Sequence, residues 1–491
     1  MRSIFQPRKR AALDASAFKQ TALFSLAFLF AAHAFCFFNL TYSSGSVMLN
    51  VSSGRSAQIA AGQYLLPIYW RIRGSISSPL FVGMLSMLYL TCANMLLVWL
   101  LHITKPLARL ILCGATTVNA AVLSICAASM HTADATFLSM LIAVIACAVC
   151  LHIHVLPGAL LLTGALALDP GSCAYFAALM LIAAINELLL GGQKKTFVRD
   201  ILHLILAVGI GIAVYWLGYT LMARRSGLDM HSSLLLWGGN LLQAYTSPIR
   251  ALLAPLTVYP MLNTLLRAVS ALICLYVIIR FARTNGAASA AMLALGIFLL
   301  PLFAGFSFLS GQENIQITPA HCLIDILIIL LLIRVFPSLM RVQRLACAAF
   351  CALFLGSIVF SNQVYLKKNL ELESTLSVMT RVIARIEEMP GYMPGYTPIA
   401  IIGTPENSAI SSQRKGFEHL SALDAASNNY AITSDTDMIW YTWEVLGYPL
   451  NFVSAYDLEQ LKQNADVQAM PAFPQEGCCS YIGDTLVIHL S

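Results

Sequence analysis

Apolar runs about as long as a bilayer is thick recur through the first three-quarters of this chain, and they constrain its fold more than any other feature. A helix needs ~20 consecutive apolar residues to cross a hydrocarbon core. LFSLAFLFAAHAFCFF and LFVGMLSMLYLTCANMLLVWLL, of 16 and 22 residues, approach or reach that length, and ILIILLLIRVF is a further run of 11. Lipid offers no water to satisfy backbone N–H and C=O groups, so only helices or closed barrels can cross it. These runs lack the alternation of a barrel strand, which leaves helices. Composition agrees: 58% of the 491 residues are hydrophobic and 11% are charged, against about 25% charged in an ordinary soluble domain.

Eleven spans are expected, near 18 to 38, 79 to 101, 110 to 129, 135 to 153, 156 to 168, 173 to 190, 201 to 222, 264 to 282, 287 to 308, 320 to 338 and 345 to 361. The piece from 156 to 168 is short for a crossing and reads as partly re-entrant. The basic start, MRSIFQPRKR, precedes an apolar run too long for a signal peptide and without a clear A-x-A site, so it reads as a retained first span. A cytoplasmic N-terminus then places Arg8, Lys9, Arg10, Lys105, Arg109, Lys194, Lys195 and Arg341 on the inner side. The short outer loops at 130 to 135, 169 to 172 and 309 to 319 hold no Lys or Arg, as the positive-inside rule requires. That topology also accounts for the formal charge of +6. The basic residues sit singly or in small groups rather than on one face, so nucleic acid is not an expected partner.

Eleven of the 13 cysteines fall inside apolar runs, where Cys147 and Cys150 read as small helix residues rather than a redox pair. Cys478 and Cys479 are adjacent, a poor geometry for a structural disulfide. After Phe360 the composition turns polar, and a soluble α/β domain is expected over 363 to 491, with strands at IAIIG and TLVIHL and a helix at DLEQLKQNA. Residues 1 to 362 form the membrane part. With eleven crossings the C-terminal domain faces outward. The long outer loops, 39 to 78 and 223 to 263, exceed the length of simple connectors.

No Asp or Glu lies between Asp14 and Asp134, which sits in SMHTADATF beside His131 and Thr132. Ionisable groups at membrane depth are costly and face a cavity or a partner. Asp134 therefore reads either as a functional carboxylate at the outer end of its span or as the cap of the helix that follows. In GQYLLPIYWRIRGSISSP, Tyr69 and Trp70 suit the headgroup layer, while Arg71 and Arg73 suit either a lipid-carrier phosphate or plain headgroup snorkelling. Arg224 and Arg225 carry the same two readings. Asp169 reads as a helix cap, Glu313 as an outer-loop carboxylate able to meet a polar substrate, and His321 with Asp325 as a side-chain pair within the bundle. The chain has no GxxxxGK[ST], HExxH or GxSxG motif.

Four stretches together resemble the Gtr type II glucosyltransferase family, polytopic enzymes of GT-C-like plan. They are GQYLLPIYWRIRGSISSPLFVGMLSMLYL, HTADATFLSMLIAV, PIAIIG and MPAFPQEGCCSYIGDTLVIHLS. The resemblance implies an all-α polytopic membrane bundle of about eleven spans with a small C-terminal α/β extracytoplasmic domain. It implies glucose transfer from a polyprenyl-phosphate carrier to a cell-surface glycan, at the outer face of the cell membrane. The set it suggests is Asp134 as catalytic base, with Gln63, Tyr69, Trp70, Arg71, Arg73, His131 and Glu313 binding substrate. No metal ligand is assigned, and a divalent cation is left open. Two positions depart from the family pattern: Gly45 stands where a first-loop acid is common, and Gln63 where Arg is usual. A degenerate member that binds lipid-linked sugar or glycan without transferring it is the main alternative, and a flippase or permease is another.

Overall fold

The computed structural model describes residues 15–39, 55–191, 193–227, 241–253, 257–305, 319–335, 340–405, 432 and 434–490. The helices of the membrane part are α1 (Ala15–Phe38), α2 (Arg55–Ala60), α3 (Leu66–Arg73), α4 (Pro79–Leu100), α5 (Pro106–Thr117), α6 (Ala120–Ala128), α7 (Met130–His152), α8 (Val155–Leu168), α9 (Ser172–Leu189), α10 (Lys194–Arg225), α11 (Leu241–Leu253), α12 (Pro260–Asn285), α13 (Ala287–Ala304), α14 (Cys322–Val335) and α15 (Met340–Glu387). Among the described residues, nine spans are long and apolar enough to cross a bilayer, α5 and α6 forming one interrupted span. The other two expected crossings, α8 and α14, have 14 residues each. At 1.5 Å per residue that is about 21 Å, short of a core of about 30 Å.

Proline starts several helices. Pro79, Pro106 and Pro260 occupy the first turn of α4, α5 and α12, where a missing N–H costs nothing. Central α9 is buried along nearly its whole length, whereas α10 and α12 present Trp216, Leu217, Leu265 and Leu272 outward. Lipid tails are as apolar as leucine, so the helices are held by close approach and polar links rather than by hydrophobic burial. Gly158 of α8 packs against Cys150 of α7, and Gly83 of α4 against Phe37 of α1. Arg334 of α14 gives Nε to Asn186 Oδ1 (3.1 Å) and Nη2 to the carbonyls of Leu101 (2.8 Å) and His102 (3.0 Å). His102 has a left-handed φ of 52°, so the guanidinium ties down the sharp turn after α4.

The expected span at 110 to 129 is broken at Val118 and Asn119. Asn119 is the N-cap of α6: its Oδ1 accepts from the N–H groups of Ala121 and Val122 at 3.0 Å each. Its Nδ2 donates to the carbonyls of Ala115 (2.9 Å) and Thr116 (3.0 Å), and His33 of α1 satisfies the carbonyl of Thr117.

The long helix α15 has 48 residues and continues past residue 362 without a break. Its Tyr365 meets His33 Nδ1 at 2.6 Å, and Lys368 Nζ donates to the Ala127 carbonyl at 2.5 Å, so this stretch still packs on the bundle. About three turns later, Val378, Met379, Val382 and Ile386 belong to a second core. There a four-stranded sheet runs in the order β2-β1-β4-β3, with β1 (Pro398–Ile402), β2 (Asn451–Phe452), β3 (Cys479–Ile482) and β4 (Thr485–His489). β1 is parallel to β2 and β4, while β3 and β4 form an antiparallel hairpin whose turn uses Gly483 at φ 62°. Alternation fixes the two faces: Ile399, Ile401, Leu486 and Ile488 pack toward α15. Ala400, Ile402 and Val487 pack toward Leu458 of α17 (Ala455–Gln463). The strands expected at 399 to 403 and 485 to 490 and the helix at DLEQLKQNA fall within one or two residues of those elements. The short helix α16 spans Asp435–Trp440.

Candidate functional site

Three chain turns meet where α7 begins. Helix α3 lies between two glycines with positive φ, Gly62 (84°) and Gly74 (109°). Its N-terminal end is tied to the bundle by Leu65 N–H on the Ala167 carbonyl (2.9 Å) and by Tyr215 Oη on the Gly62 carbonyl (2.9 Å). Leu66 and Trp70, one turn apart, pack on Ala135 of α7. Tyr69 and Arg73, also one turn apart, fall on the adjoining stripe and reach Asp134 together.

Asp134 is fully buried and lies in the second turn of α7. Helix α7 begins at Met130 after Ser129, so the capping reading of Asp134 gives way to a side-chain contact. Arg73 Nη1 stands 3.0 Å from each carboxylate oxygen, and Tyr69 Oη donates to Oδ2 at 2.8 Å. The guanidinium side chain is 1% exposed. Its Nη1 also meets the His131 carbonyl at 3.3 Å and its Nη2 meets Ser77 Oγ at 2.9 Å. Burial, and the charge of Asp134 beside it, push the Tyr69 phenol well above its ordinary range, so Tyr69 stays a donor.

Three buried polar atoms around this cluster, Trp70 Nε1, Arg73 Nε and His131 Nδ1, have no hydrogen-bond partner among the described residues. The rings of Trp70 and His131 lie 6.5 Å apart. Orphaned polar atoms in a protein interior are uncommon, and three of them stand in this one neighbourhood. A second carboxylate lies near: Asp169 Oδ1 accepts from Gly171 N–H at 2.9 Å as the turn before α9 is made. Burial raises its carboxyl, opposed by the Gly171 amide and the Thr136 hydroxyl, and Thr136 is on α7 two residues past Asp134.

Tyr69, Trp70, Arg73, His131 and Asp134 are thus brought together. Arg71 is not; it is exposed, as its position two residues from both Tyr69 and Arg73 dictates. Gln63 sits half-buried in the turn between α2 and α3, its N–H on the Gln58 carbonyl at 2.9 Å. Arg224 and Arg225 are exposed at the end of α10. Glu313 and Gly45 lie outside the described residues. Asp325 pairs with Arg267 of α12 rather than with His321, Arg267 Nη2 meeting Oδ2 at 3.3 Å. Neither the sequence spacing of Arg267 nor a motif had marked it; an Arg and an Asp each set within an apolar run are the available signal. Among the described residues no group of three His, Cys, Asp or Glu side chains is placed to hold a metal ion.

The architecture is that of a multi-pass helical membrane protein with ion-paired polar clusters inside its bundle. No family model, curated protein or solved structure matches the chain.

Proposed function

We propose that this chain is a glycosyltransferase of the cell membrane, moving glucose from a polyprenyl-phosphate carrier to a cell-surface glycan. In this reading the N-terminus is cytoplasmic, while the Asp134 cluster and the C-terminal sheet face outward. The observation that carries it is the Tyr69–Asp134–Arg73 contact set with three unpartnered polar atoms around it. A carrier phosphate is a natural alternative partner for Arg73, since guanidinium binds phosphate and carboxylate with the same fork. Once Arg73 turns to the phosphate, Asp134 is freed to act. The acceptor hydroxyl oxygen then bonds to the sugar C1, its proton passes to Asp134, and the C1–O bond to the carrier phosphate breaks. Polyprenyl phosphate leaves with that electron pair, its charge met by Arg73.

A second reading is favoured by one observation: both oxygens of Asp134 already carry hydrogen bonds. A chain that keeps them so binds lipid-linked sugar without transferring it. The deciding experiment supplies polyprenyl-phosphoglucose and surface glycan to the purified protein in nanodiscs. Transfer that drops by about 10²–10⁴-fold in Asp134→Asn, the range of general-base help, supports the enzyme. Undiminished transfer by that variant removes Asp134 from the reaction, and carrier binding without turnover selects the second reading.

A further inference from the structure

A second polar cluster lies inside the bundle, where α5 gives way to α6. The interruption at Val118 and Asn119 forms one wall of a cavity, and the other walls carry Asn263 and Arg267 of α12, His321, Asp325 of α14 and Ser357 of α15. Asn119 is thirteen residues past Pro106, ~20 Å along the span, which is beyond the middle of a core of about 30 Å. Non-helical backbone survives at such depth only where protein or an aqueous cavity surrounds it. Here His33 and Asn119 satisfy the interrupted carbonyls and amides individually, so the break is maintained by dedicated side chains.

Two buried atoms on this cavity lack partners among the described residues: Nδ1 of His321, a residue 4% exposed, and Nε of Arg267. Arg267 and Asp325 neutralise each other through a two-pronged contact, so the chamber has no net charge with which to favour an ion. It offers donors and acceptors in mixture, together with an apolar wall that includes Phe354. The cavity has a volume of about 80 Å³. This is several times the ~10–15 Å³ that one water needs, so a ligand larger than water has room to enter. A sugar ring has hydroxyls for the polar side chains and C–H faces for the apolar wall.

We propose that this cavity is a monosaccharide subsite, with ring hydroxyls bridging Asp325, Arg267 and His321. The choice of glucose as the ring rests on the transferase reading; the existence of the subsite does not. The test is saturation-transfer NMR on the full chain in nanodiscs, with methyl α- and β-D-glucopyranoside as probes and cyclohexylmethanol as the apolar control. His321→Leu, and the charge-neutral pair Arg267→Gln with Asp325→Asn, are expected to weaken glucoside binding by about tenfold, the loss of one buried hydrogen bond or more. Monodisperse elution and thermal unfolding confirm that each variant is native, and His321→Leu alone carries the test if the pair does not fold. Absence of glucoside binding by the folded wild type overturns the proposal, as does equal binding by the variants or by cyclohexylmethanol. Binding with the expected losses, but no glucose transfer, upholds the subsite while the transferase reading falls.

Discussion

Arg73 Nη1 lies equidistant, at 3.0 Å, from the two carboxylate oxygens of Asp134, and both side chains are withdrawn from solvent. Removing one member of such a pair strands the other charge, at a cost of about 3–5 kcal/mol, whereas removing both charges is often neutral. Arg73→Gln is therefore expected to be less stable than Arg73→Gln combined with Asp134→Asn. Thermal unfolding in one detergent compares them. If the single variant is as stable as the double, the ion pair is not what holds α3 to α7.

His33 spans from α1 to the interrupted helix, Nε2 at 3.0 Å from the Thr117 carbonyl and Nδ1 at 2.6 Å from Tyr365 Oη. His33→Leu leaves that carbonyl and that hydroxyl without their partner inside the bundle. A loss of about 1–3 kcal/mol is expected for an orphaned buried group. Hydrogen exchange at Val118 to Val122 should quicken in the variant, and unchanged protection there would show that the break holds without α1.

Two glycines of α8 separate packing from backbone freedom. A methyl on Gly158 meets Cys150 Sγ and comes within 3.0 Å of the Ala146 carbonyl oxygen and 3.1 Å of the Cys150 nitrogen, neither of which can swing aside. A methyl on Gly164 meets nothing within 4 Å. Gly158→Ala is expected to destabilise by about 1–3 kcal/mol through overpacking, and Gly164→Ala to be neutral or stabilising by a few tenths or more. A melting comparison that ranks them in the opposite order would refute the close α7–α8 contact.

In the C-terminal part, Tyr448 donates to Glu387 at the end of α15. Burial, and then that bond, push the Tyr448 phenol up from its usual value near 10. An acid whose folded value is raised gives its stabilisation in full below the unfolded value and loses it as pH climbs above. The sheet should therefore loosen on raising pH beyond about 10, and Tyr448→Phe should flatten that dependence. Near-ultraviolet circular dichroism across the alkaline range is the measurement; an identical profile in the variant would assign the loss to other groups.

Much of the fold was legible because a bilayer imposes a length. Each expected apolar run is helical where it is described, although the run at 110 to 129 is split in two and the one at 345 to 361 continues to Glu387, and the strands around Ile399 to Ile402 and Leu486 to Ile488 followed from short apolar runs bounded by turns. The break at Val118 and Asn119 was hidden because an uninterrupted hydropathy profile says nothing of a cap. Its signal was Asn119 ahead of an alanine-rich start, after two threonines and a valine. Helix α15 runs on past residue 362, since polar residues after Phe360 do not end a helix, and Tyr365 and Lys368 still find partners within the bundle. At the site, Asp134 was found by its isolation. The separation of Arg73 from Arg71 was available from helical spacing, because Tyr69 and Arg73 stand four apart while Arg71 stands two from each. The Arg267–Asp325 pair needed tertiary structure, as 58 residues separate its members.

The unbroken run of α15 from the bundle into the second core gives the sheet no joint of its own. From Lys368 to Glu387 the helix extends about 28 Å, so a tilt of about 10° at its base carries the far end through roughly 5 Å. Any motion of α1 or α6 that shifts Tyr365 or Lys368 is thereby magnified at the strands, which ride as the long arm of a lever anchored where those two side chains grip the bundle.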